Sequence, residues 1–127
     1  MLYVREAQGS LGQVVDRLEK AVAQNGFGIL GVHDLKAKML AKGVDFGPEC
    51  RVYEVCNPAK AKIVLEADMS LSNVLPCRIS VYEEAGSVKV STLRPTELLK
   101  VLQCPGLEPV AQEVEDALVR IIEGACG

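Results

Sequence analysis

The sequence predicts an α+β fold: a mainly antiparallel sheet of about five strands, with long N- and C-terminal helices packed on it. Three observations predict it. Cys77 to Glu83 and Ser87 to Leu93 alternate apolar and polar residues on either side of Glu84-Ala85-Gly86, the pattern of a hairpin with one face covered. Leu11 to Val22 and Val110 to Ile122 each carry apolar residues at helical spacing. The elements between them read strand, short helix, strand, helix. A doubly wound parallel sheet is the alternative.

Each element follows from local chemistry. Leu2 to Glu6 reads as a short strand with Tyr3 and Arg5 on one side. Ser10 and Gln13 form a capping-box pair that opens a helix. Its stripe holds Leu11, Val14, Val15, Leu18, Ala21 and Val22, and Asn25-Gly26 stops it. Phe27 to His33 is a glycine-rich strand. Gly28 and Gly31 there are expected to admit close packing of the first helix. Asp34 caps a short helix through Leu40, and Gly43 ends it. Arg51 to Cys56 is the third strand. Asn57-Pro58 starts a helix, with asparagine as cap and proline at the first helical position. Ala59, Ile63, Val64 and Ala67 are expected to face inward. Asp68 to Val74 reads as a loop or short turn. After the hairpin, Pro95 opens a helix through about Leu102. The last helix begins near Pro109, with Glu108, Glu113, Glu115 and Asp116 towards its N-terminal end, where the dipole favours acids.

Composition narrows the function classes. The chain has 127 residues, the length of one domain, and is 49% hydrophobic and 24% charged, as globular chains are. Residues 1–127 are therefore read as a single domain. Aromatics are 4%, so the core is expected to be aliphatic. The longest apolar run, Gly26 to Val32, is too short to span a bilayer. Arg5 and Glu6 stand where a signal-peptide core would be. Five cysteines, an odd number without close pairs, are not a disulfide framework. A cytoplasmic protein is expected. The net charge is −3 and no basic face interleaves with aromatics, so neither nucleic acid nor membrane is an expected partner.

Over Cys56-Asn57-Pro58 and Leu75-Pro76-Cys77-Arg78-Ile79-Ser80-Val81-Tyr82-Glu83 the sequence resembles the family called domain of unknown function 302. Gly26-Phe27-Gly28, Asp34-Leu35 and the Val88-Val90 strand ending near Pro95 add to the likeness, which spans nearly the whole chain. The resemblance implies a compact α+β domain with a layout like that of the TATA-binding protein. It also implies a small bacterial or archaeal protein that pairs with itself. It implies no activity, and the likeness of layout says nothing about DNA.

The residues offer one candidate site. Cys56 directly precedes a helix cap, where backbone N–H groups and the helix dipole favour a thiolate. If the third and fourth strands are antiparallel neighbours, Cys56 approaches Cys77. Arg78 and Asn57 then stand nearby, with His33 a further candidate. A redox pair or soft-metal site is one reading; small buried hydrophobes is the other. Cys50 and Cys56 bracket a strand and stand about 20 Å apart, beyond any bridge. Cys104 and Cys126 read as packing or tail residues. His33, the only histidine, is a general-base candidate with Asp34 or Asp45. No nucleophile elbow, P-loop or dinucleotide fingerprint occurs. No catalytic residue, resident metal or cofactor is assigned. The preferred expectation is a non-enzymatic binding or interaction module that forms a dimer and takes a small ligand.

Overall fold

The computed structural model describes residues 1–127. Five strands, β1 (Leu2–Ala7), β2 (Gly28–Asp34), β3 (Cys50–Cys56), β4 (Cys77–Glu84) and β5 (Ser87–Leu93), form one sheet in the order β1-β5-β4-β3-β2. Every neighbouring pair is antiparallel. The fold is α+β, and the parallel alternative is excluded. The helices are α1 (Leu11–Gln24), α2 (Leu35–Ala41), α3 (Pro58–Ala67), α4 (Pro95–Val101) and α5 (Glu108–Cys126), with a 3-10 helix over Met69–Val74. None is long and apolar enough to cross a membrane.

The local signals act as read. Ser10 accepts from the Gln13 backbone while Gln13 reaches back to the Ser10 N–H, so both halves of the capping box form. Asn57 accepts from the Lys60 backbone, with Pro58 following it. Asp34 accepts from the Ala37 backbone and opens α2. The hairpin turns on Ala85 and Gly86, whose φ angles of 52° and 80° are those of a two-residue turn matched to sheet twist.

One face of the sheet is covered and holds the core. Tyr53, Val55, Ile79, Val81, Val88 and Val90 point to it and meet Val14, Leu18 and Val22 of α1 and Leu118, Ile121 and Ile122 of α5. The two long helices cross closely: a Cβ on Gly124 would stand 3.1 Å from the Cβ of Ala21. A smaller cluster of Leu71, Leu107 and Val110 sits apart from this core.

Two expectations need correction. β2 is an edge strand, with Leu30 65% and Val32 45% exposed, and α1 does not press on its glycines. Gly28 borders open space, while Gly31 makes room for a carboxylate described below. On α3, Ala59 and Ala67 are exposed and Ile63 is half exposed; Lys60, Ala61, Val64 and Leu65 are the half-buried positions. That face meets a cavity rather than the main core. Cys126, read as a packing or tail residue, packs as a buried member of the core.

Glu115 is also misplaced by the dipole argument. It lies on the buried side of α5, only 9% exposed, and accepts from the Thr96 N–H at 3.2 Å and the Thr96 hydroxyl at 2.7 Å. Arg94 approaches it at 3.8 Å. α4 begins at Arg94 without a side-chain cap of its own, so Glu115 supplies one from another helix. Glu115→Ala leaves the part-buried Thr96 N–H and hydroxyl without their acceptor, and should lower stability by about 1–2 kcal/mol in urea unfolding.

Candidate functional site

The site is built at one end of the β3–β4 pair. Val55 stands opposite Cys77, so Cys56 lies beside the residue that enters β4. Past Cys56 the chain caps α3 through Asn57, runs along α3 and the 3-10 helix, and returns through the cis Leu75–Pro76 peptide to Cys77. β3 and β4 are adjacent strands joined by this long excursion. The excursion walls off a cavity of about 390 Å³, lined by 24 residues of which 15 are hydrophobic. Val64, Leu98, Leu99, Val110 and Val114 supply much of its apolar wall. The sheet contributes Val55, Cys77 and Thr92 from its covered face and Ser80, Ser91 and Leu93 from the other.

Cys56, Asn57, Cys77 and Arg78 all line this cavity. The two thiols do not have the state expected of a nucleophile. Burial pushes the Cys56 thiol up, and outweighs the helix N-terminus beside it. Cys77 is pushed up to about 11, first by burial and then by neighbouring Cys56, with Arg78 pulling the other way. Both are neutral thiols at pH 7, and all five cysteines are free. No three His, Cys, Asp or Glu side chains gather in a group that could hold a metal ion.

The polar groups at the cavity divide into used and unused. The Thr92 hydroxyl donates to the Arg78 carbonyl at 2.7 Å. Lys60 pairs with Glu113 at the rim. Arg78 has only Glu54 near it, at 3.8 Å, which is an ion pair without a hydrogen bond. The Ser80 and Ser91 hydroxyls, cross-strand neighbours, make no hydrogen bond within the protein.

His33 lies elsewhere. Its Nδ1 is 2.8 Å from the Lys38 Nζ and its Nε2 is 2.8 Å from the Glu54 carboxylate. An ammonium only donates, so Nδ1 accepts and Nε2 carries the proton given to Glu54. The expected partners, Asp34 and Asp45, are not engaged: Asp34 caps α2 and neighbours Arg51 at 3.7 Å. A Cβ on Gly31 would stand 3.1 Å from the Glu54 carboxylate, so this glycine leaves the carboxylate its space. Sequence reading missed Glu54, Lys60, Ser80 and Ser91 as members of the site and its surroundings. Cross-strand register brings Glu54, Ser80 and Ser91 together, and Lys60 comes in from α3; no local pattern encodes either.

The model of the family described as domain of unknown function DUF302 matches residues 3–125. The chain belongs to that family. A crystal structure of an uncharacterized conserved DUF302 protein from Bacillus stearothermophilus superposes with a TM-score of 0.92 at 31% identity. The match covers 99% of this chain and 98% of that one. No curated protein matches. DUF302 membership therefore brings the fold and no chemistry, and the chemistry has to be argued from the cavity.

Proposed function

We propose that this DUF302 chain, folded as one domain, is a cytoplasmic, self-associating binding module rather than an enzyme, and that it holds a small ligand in the cavity at the end of β3 and β4. The carrying observation is the cavity itself: about 390 Å³, mostly apolar, with Cys56, Asn57, Cys77 and Arg78 converging on it. Neutral thiols support binding over catalysis, as does a histidine engaged by Lys38 and Glu54 away from the lining. Five unbridged cysteines favour a reducing compartment.

Self-association is supported by the β2 edge. The opposite edge, β1, is guarded by Arg5 and Glu6, but Gly28 to Val32 of β2 carries no charge or proline. Residues 29–46 hold seven of the fifteen exposed large apolar residues, Leu30, Leu40 and Val44 being the most open. A second copy pairing edge to edge would cover them symmetrically. A thiol site remains the second reading, favoured by Cys56 and Cys77 meeting at one cavity and opposed by their protonation.

Two measurements test the proposal. A neutral apolar dye such as Nile red should bind with a fluorescence rise, and Ala61→Phe, which fills the cavity, should abolish it. No binding, or binding unchanged by the filling, contradicts the ligand site. In sedimentation the protein should run as a dimer, and Leu30→Lys should shift it to monomer without touching dye binding. A monomeric parent protein contradicts the self-association.

A further inference from the structure

We propose that the cavity selects an uncharged, hydrocarbon-like molecule and turns away carboxylates and ammonium ions. This rests on the ligand-binding reading and adds the ligand's chemical class.

Three properties of the cavity point to it. The first is its wall. Val64 of α3, Leu98 and Leu99 of α4, and Val110 and Val114 of α5 line it, together with Val55 from the covered face of the sheet. Apolar contact stabilises in proportion to area and has no direction, so this wall asks of a ligand only an apolar body. The volume, about 390 Å³, lies in the range of about 300–1,000 Å³ usual for small-molecule sites.

The second is the state of the polar groups. No aspartate or glutamate lines the cavity, so a cation finds no counter-charge there. Its two basic residues are no better placed for an anion. Lys60 is paired with Glu113. Arg78 shares the open face of the sheet with Ser80, its side chain 55% exposed to solvent and Glu54 at 3.8 Å. The Asn57 Oδ1 is used in capping α3, and the Thr92 hydroxyl on the Arg78 carbonyl. The buried side-chain atom left without a hydrogen bond is Arg51 Nε, outside the lining and at the opposite end of β3. The cavity therefore strands no buried polar side-chain atom that a ligand would have to satisfy.

The third is the behaviour of Cys77, which stands in the wall. Its thiol is pushed up to about 11 from an ordinary 9.0, mainly by burial and in spite of Arg78 nearby. That difference is about a hundred-fold preference for the uncharged form at this spot. A ligand carboxylate or ammonium brought to the same wall loses its hydration in the same way and gains no partner in return.

Displacement of Nile red by naphthalene, naphthoate and naphthylmethylammonium tests the class, because the three share one ring body and differ in charge. Naphthalene should displace the dye, and each ion should bind at least about ten-fold more weakly, the direction that Cys77 sets. Ala61→Phe should abolish naphthalene binding, with a thermal melt to verify folding. Either ion binding as tightly as naphthalene, or Nile red binding without naphthalene, overturns the class while the cavity remains a binding site. Naphthalene binding unaltered in a folded Ala61→Phe variant overturns it as well, since the molecule then sits elsewhere. If neither naphthalene nor Nile red binds, the ligand-binding reading fails, and this one with it.

Discussion

Leu118→Ala should lower the unfolding free energy by about 2–5 kcal/mol, the largest loss expected from any single truncation discussed. Leu118 is 0% exposed on the inner stripe of α5, within the cluster that joins α1, α5 and the covered face of the sheet. The closeness of α1 and α5 at Gly124 and Ala21 limits how far the helices can move to refill the void. The penalty is therefore the transfer term plus a cavity term. A domain of this kind has about 5–15 kcal/mol in total, so the variant sits near the edge of folding. Urea unfolding should show a lower midpoint with an unchanged slope. Leu40→Ala is the control: Leu40 is 63% exposed, and its truncation should cost no more than about 0.5 kcal/mol.

Alkaline pH should destabilise the protein through Cys77, by about 2–3 kcal/mol between pH 9 and pH 11. The native thiol holds its proton up to about 11, against an ordinary value of 9.0. Below pH 9 both folded and unfolded chains are protonated, and burial of the neutral thiol contributes in full. From pH 9 to 11 the unfolded chain loses the proton while the folded chain keeps it. The unfolded state then binds fewer protons, so stability falls as pH rises. Cys77→Ala should remove that share of the slope, leaving the parts due to Tyr53, Cys50, Cys56 and Cys126, which burial shifts the same way. Alkylation of the native protein at pH 8 should find Cys77 about a hundred-fold less reactive than a free thiol. An alkaline slope unaltered by the substitution would mean that Cys77 titrates normally.

Much of the fold was legible because its signals are local. The capping box at Ser10 and Gln13, the Asn57-Pro58 start and the Ala85-Gly86 hairpin each need only a few neighbouring residues, and each formed. The antiparallel meeting of β3 and β4 was legible as well, and it brought Cys56, Asn57, Cys77 and Arg78 to one cavity. What failed depended on partners far away in the chain. Glu115 looked like an acid placed for the helix dipole, because Thr96 lies 19 residues off on another helix. His33 looked poised beside Asp34, because strand pairing with Glu54 is invisible in a single segment. Gly31 looked like a packing glycine, although its neighbour is a carboxylate on β3. The sequence left the thiol state open between a dipole-activated thiolate and a small buried hydrophobe: the dipole at Asn57 is local, while the burial that opposes it needs the folded chain.

The site claim reduces to one spatial statement, that the end of the β3–β4 pair is where a ligand sits. Nitrogen-resolved NMR of the labelled protein, titrated with Nile red, reads this directly. Amide shifts confined to Cys56, Asn57, Cys77 and the adjoining turns of α3 and α4 are the predicted result. Shifts centred instead on β2 and α2, with the β3–β4 end silent, would contradict it.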